Sequence, residues 1–207
     1  METGFLLSTL VSLFVVVDPV GTSAVFAALT EDASEGEQKQ IASRAVMTAI
    51  ALLVLFNFIG QALLNYMHVS LDAFRVAGGF LLFVTAFRMI MGFHDPDQLN
   101  SEKSAYRDRS NIAIFPLAIP LLAGPGAMTA SLMFATGAKN ALEHSIVIFS
   151  IIVIQTIALL CMWGTGKLSR IFGPSGRGIV ARVMGVLLAA MAVQFISDGV
   201  RTLMQAS

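Results

Sequence analysis

Apolar residues in this chain fall in long blocks instead of alternating with polar ones. Six blocks, at about 4–29, 45–66, 69–91, 111–137, 145–165 and 179–200, reach the roughly 20 apolar residues that a helix needs to cross a hydrocarbon core. The pattern predicts an all-α membrane protein with six transmembrane helices. Two of the blocks are interrupted. "LFVVVDPVGTSAVF" (13–26) sets Asp18 and Pro19 among apolar residues, and "FPLAIPLLAGPGAM" (115–128) holds Pro116, Pro120, Gly124, Pro125 and Gly126. A proline inside a helix removes a donor and clashes with the preceding turn, at about 3 kcal/mol. Hydrocarbon offers no water to satisfy the groups set free.

Composition agrees with the blocks. Of 207 residues, 56% are hydrophobic and 13% charged, about half the charged share of a soluble domain. The formal net charge is zero, so nothing points to nucleic acid as a partner; the partners expected are the bilayer and a small molecule, with oligomerisation left open. With six crossings, the loops after the first, third and fifth share one side. That side collects ten of the thirteen basic residues: Lys39, Arg44, Arg88, Lys103, Arg107, Arg109, Lys167, Arg170, Arg177 and Arg182. The other side has Arg75, Lys139 and Arg201. By the positive-inside rule both termini face away from the cytoplasm. The start "METGFLL" has Glu2 and no basic residue, so the first block is expected to stay as a membrane helix. The single Cys161 excludes an internal disulfide and reads as a small packed hydrophobe.

The chain also repeats itself. "FRVAGGFLLF" (74–83) aligns with "ARVMGVLLAA" (181–190) at an offset of 107, and "DPVG" (18–21) aligns with "GPGA" (124–127) at an offset of 106. The halves are residues 1–91 and 111–207, joined by a polar cytoplasmic linker, 92–110. Three crossings per half make the second enter the membrane from the opposite side, so the repeats are inverted. The first helix of each is broken at mid-membrane. Gly/Pro-interrupted helices at matching positions of inverted repeats mark transporter binding sites.

Each break reads as a helix start. Asp18 before Pro19 is a good Ncap–N1 pair, and Gly124 before Pro125 has the same grammar, while Pro116 and Pro120 are expected to unwind the segment before it. A helix start offers backbone N–H groups and partial positive charge to an anion. Asp18, an intramembrane acid opposite Gly124 in the repeat, reads as a cation or proton site. Together the starts suit a small zwitterion such as a neutral amino acid. The candidate substrate or coupling residues are Asp18, Pro19, Gly21, Thr22 and Ser23 at the first break, and Gly124, Pro125, Gly126 and Thr129 at the second. Asn57 and Gln61, one turn apart on the second block, are added as a polar face, with helix–helix bonding as their other reading; Gln155 is similar.

Other polar residues read more plainly. Ser34 and Glu37 have capping-box spacing. Arg75 and Arg182 sit at block ends, where snorkelling accounts for them. Asp198 and Arg201 have ion-pair spacing. Gly78, Gly79 and Gly185 permit close helix packing. The methionines fill gaps and form no metal lane.

"DPVG" followed by "LT" (29–30), "FRVAGGFLLF", "NIAIFPLAIPLLAGPGAM" and "RVMGVLLAAMAVQFI" together resemble the MarC family of six-span inner-membrane proteins. The resemblance covers almost the whole chain. It implies a protein of the bacterial or archaeal cytoplasmic membrane, grouped with neutral amino acid transporters. The family often continues D-P-x-G-N-x-P-x-F, whereas this chain has Thr22 and Ala24 in place of Asn and Pro. The family site therefore carries over directly to Asp18, Pro19 and Gly21, while Thr22 marks a departure that bears on specificity.

The function expected is secondary transport of a small solute, with proton coupling through Asp18. No Walker motif is present for direct ATP drive, and no cofactor is implied. The alternative is a non-transporting scaffold or regulator, including the multiple antibiotic resistance role that gave the family its name. An intramembrane enzyme is disfavoured: His68, His94 and His144 lie at loops or block ends without paired-ligand spacing, and Asp18 and Asp198 occupy different depths.

Overall fold

The computed structural model describes residues 2–31, 33–91 and 112–206. The predicted linker 92–110, with His94, lies outside the described residues. The described residues form helices and short connections: α1 (Glu2–Val17), α2 (Pro19–Leu29), α3 (Glu35–Tyr66), α4 (Leu71–Met91), a π-helix π1 (Ala113–Leu122), α5 (Pro125–Gly137), α6 (Ala141–Trp163) and α7 (Thr165–Ala206). No strand occurs among the described residues.

Among the described residues, five helical stretches are long and apolar enough to cross a membrane: Thr3–Leu29, Glu35–Tyr66, Leu71–Met91, Ala141–Trp163 and Arg182–Gln205. The remaining predicted block, 111–137, is divided between π1 and α5, each too short to cross alone. The two prolines there do not unwind the chain. The ladder widens instead, with the Ala123 N–H donating to the Ala118 carbonyl at 2.8 Å. An i→i−5 pitch relieves the carbonyl clash a proline makes in an α-helix.

Caps fall where the residue types predict. Ser34 and Glu37 close a full capping box at the head of α3: the Ser34 N–H donates to Glu37 Oε2 at 2.8 Å, and the Glu37 N–H to Ser34 Oγ at 3.4 Å. Asn140 caps α6 through the Glu143 N–H at 2.8 Å. Asp198, however, accepts from Gln194 Nε2 at 2.8 Å instead of forming the expected pair with Arg201, which is exposed. Arg75 is paired with Asp72 at 3.5 Å, one turn back.

The core lies between helices rather than under one face of each. Ala42, Ala45 and Ala49 of α3, Ala127 and Ala130 of α5 and Ala158 of α6 are buried, which lets backbones approach closely. Large apolar side chains such as Phe58, Phe80, Phe87 and Leu160 are exposed on the outside. That inversion of the soluble pattern suits a lipid-facing surface. The longest seam joins α4 to α7, where Gly79 lies against Ala192 and Phe195, and Gly185 against Met89 and Ile90. α6 packs against α1, α2 and α3, and α3 also packs against π1 and α5.

Candidate functional site

The first break is built on Asp18 alone. Its backbone is left-handed, φ 45° and ψ 70°, a conformation Asp tolerates better than most L residues. Its N–H donates to the Phe14 carbonyl at 3.0 Å, closing α1, and its carbonyl accepts the Thr22 N–H at 2.9 Å, opening α2. The carboxylate Oδ1 accepts the Gly21 N–H at 3.1 Å. Pro19, at N1, has no donor to satisfy and is buried. The capping amide expected to attract an anion is thus already occupied by the Asp18 carboxylate.

The hydroxyls of the first turn stay local. Thr22 Oγ1 donates to the Val17 carbonyl at 3.0 Å, capping the end of α1, and Ser23 Oγ donates to the Val20 carbonyl at 2.7 Å. Both residues are buried. Their protons are spent on backbone, leaving only their oxygen lone pairs to face a ligand.

The second break differs. Gly124, φ −74° and ψ 171°, stands at the Ncap of α5 with no side chain to bond the first amides. Helix geometry supplies no acceptor for the N–H groups of Gly126 and Ala127. Pro125 is exposed, whereas Gly124 and Gly126 on either side of it are buried. Gly124 is held against the Pro120 carbonyl, too close for any Cβ. Thr129, fully buried, donates to the Pro125 carbonyl at 2.8 Å and fills the space over Gly78 of α4.

The two breaks meet. A Cβ on Gly126 would lie 3.5 Å from Val16 Cγ1, two residues before Asp18, and would overlap Leu82 of α4. Gly126, in the second break, and Val16, just before the first, are therefore brought side by side.

Asn57 joins this region and Gln61 does not. Asn57, buried, donates from Nδ2 to the Ser131 carbonyl of α5 at 3.3 Å. Gln61 donates to Asn65 Oδ1 at 3.0 Å, one turn on along α3, in an exposed pair. Gln155 is drawn more closely into the site than its sequence position suggested: wholly buried, it donates from Nε2 to the Leu122 carbonyl at 2.9 Å, at the end of π1. The available signal was a single amide within an otherwise apolar helix, which does not reveal its partner. Among the described residues, no group of His, Cys, Asp and Glu is arranged to hold a metal ion.

The MarC family model, described as an integral membrane protein family, matches residues 3–204. A UPF0056 membrane protein of Archaeoglobus fulgidus is 33% identical over 195 residues, covering 94% of this chain and 92% of the relative. Another, from Methanocaldococcus jannaschii, is 33% identical over 201 residues, covering 97% and 98%. UPF0056 membrane protein YhcE of Escherichia coli is 32% identical over 197 residues, covering 92% and 89%. No solved structure matches this chain.

Proposed function

We propose that this chain, which belongs to the MarC family of integral membrane proteins, is a secondary transporter for a small solute, a neutral amino acid by preference. In this reading α1 and α2 make one broken crossing, and π1 and α5 make another. With α3, α4, α6 and α7 the chain crosses the cytoplasmic membrane six times. Residues 1–91 and 111–207 are then inverted three-helix repeats, residues 92–110 are cytoplasmic, and both termini lie outside.

The observation that carries the reading is the meeting of the two breaks, with Gly126 packed beside Val16. Interrupted helices are tolerated at membrane depth where they are buried in protein or line a polar path. Two of them side by side, one bearing an acid and the other uncapped amides, match a transporter site better than a structural kink. The packing between elements supports the inverted repeat. The broken pair of each half lies on the second helix of the other half, α1 and α2 on α6, and π1 and α5 on α3. Like helices also meet, α3 on α6 and α4 on α7, as a twofold relation allows.

Asp18 is the coupling group in this reading: its carboxylate caps α2 when ionised and takes a proton during the cycle. The protein works without a catalytic residue or resident cofactor. The test is flux in proteoliposomes holding the purified protein, with a panel of radiolabelled neutral amino acids and an imposed proton gradient. Saturable, gradient-dependent uptake is expected; no movement of any member of the panel in either direction would reject the transporter.

A further inference from the structure

Three buried side-chain polar atoms lack a hydrogen-bond partner among the described residues: Asn57 Oδ1, Arg75 Nε and Gln155 Oε1. Arg75 is already paired with Asp72 through its terminal nitrogen, near the start of α4. Asn57 is tied to Ser131, more than a turn beyond the start of α5. Gln155 is tied to Leu122, two residues before Gly124. It is the stranded acceptor nearest a break.

The orientation of that amide follows from chemistry. A carbonyl can only accept, so the Leu122 oxygen takes the NH2 end of Gln155 and turns Oε1 away from itself. Both ends belong to one planar amide, so Oε1 stays within an amide's width of the nitrogen that holds the Leu122 carbonyl, two residues before the break. Ahead of it in the chain lie the Gly126 and Ala127 N–H groups, which no side chain caps. A bare acceptor and bare donors thus accompany the same helix start, in surroundings where unmet polar groups are costly. The helix that carries Gln155 also packs on α1 and α2, so it is shared by both breaks.

We propose that Gln155 Oε1 receives the amino group of the transported solute, while the solute's carboxylate takes the amides of Gly126 and Ala127. This assignment rests on the transporter reading and adds to it the residue that recognises the amine. A zwitterion meets both unmet needs at once. A carboxylic acid without the amine leaves Oε1 bare, and a site built around a hydrogen bond rejects the analogue that lacks it.

The test compares binding of L-alanine with propionate, and of glycine with acetate, by ligand-induced shifts in Tm of the purified full-length protein in detergent. The native protein is expected to bind each amino acid about ten- to a hundredfold more tightly than its deaminated acid. Gln155→Met, similar in size but with neither donor nor acceptor, should bring each pair to near parity. Gln155→Glu supplies the second readout. Buried and protonated, it donates to Leu122 and keeps a carbonyl acceptor, so the preference should persist at mildly acidic pH and grow as the carboxyl ionises and pairs with the solute's ammonium. A folded Gln155→Met that keeps the native preference would overturn the assignment and leave the transporter standing, as would a folded Gln155→Glu without preference at any pH. A native protein that binds L-alanine and glycine no more tightly than their deaminated acids would overturn the assignment alone, whereas one that moves no member of the neutral amino acid panel would overturn both.

Discussion

Asp18 commits its N–H, its carbonyl and its carboxylate to the two helices it separates. That economy makes its substitutions informative. Asn keeps an acceptor for the Gly21 amide and tolerates the left-handed backbone, so Asp18→Asn should change unfolding stability by less than about 1 kcal/mol. Asp18→Ala loses the cap and strains the backbone, and should cost about 2 kcal/mol, read from denaturation of the purified protein. If the carboxyl carries the coupling proton, Asp18→Asn should also abolish the pH dependence of flux while Tm holds. An unchanged pH profile would reduce the residue to a cap. The break itself was legible because Asp-Pro is a helix start with its own mechanism, whatever surrounds it. The fate of the capping amide was not, since whether a carboxylate turns back on Gly21 or outward to a ligand depends on a side-chain torsion that spacing does not encode. The same holds for Thr22, Ser23 and Thr129, whose hydroxyls all turned to nearby carbonyls.

Between elements, the position of α5 is set by contacts with two glycines. Thr129 fills the space over Gly78, and Leu82 fills the space over Gly126. A methyl at Gly126 would press on the Leu82 side chain, so Gly126→Ala should destabilise by about 1–3 kcal/mol through overpacking. Leu82→Val, which shortens the side chain that is struck, should recover most of that loss in the double variant. Additive losses in the four-way cycle would show that the two residues are not in contact. The close packing was foreseen from Gly78, Gly79 and Gly185, because small residues at helical spacing have few other uses in lipid. The form of π1 was not foreseen. Pro116 and Pro120 mark a disturbed ladder, but whether the chain unwinds or widens is decided by what surrounds it. Here α3 packs along π1, and Gln155 takes the Leu122 carbonyl at its end. Both are long-range facts, invisible in a local reading.

On the scale of the whole molecule, the two halves are woven through one another, each broken pair resting on the second helix of the opposite half. That arrangement makes the sense of insertion testable with few positions. Lys39, at the head of α3, and Lys139, just before α6, are both exposed and follow the broken helices of their respective halves. If the repeats are inverted, these equivalent points lie on opposite sides of the membrane; if they are direct, they share one side. With Cys161 replaced by Ser, the variants Lys39→Cys, Lys139→Cys and Gln205→Cys can be challenged in intact cells with a membrane-impermeant thiol reagent. Lys139→Cys and Gln205→Cys should label at once, and Lys39→Cys only after the cells are permeabilised. Labelling of Lys39→Cys and Lys139→Cys together in intact cells would reject inversion. Labelling of Lys39→Cys alone would keep the inversion and reverse the molecule, contradicting the ten-to-three distribution of basic residues. The outcome also bears on the site, because opposed insertion is what would bring two breaks at matching positions together from opposite faces, and Gly126 and Val16 are in contact.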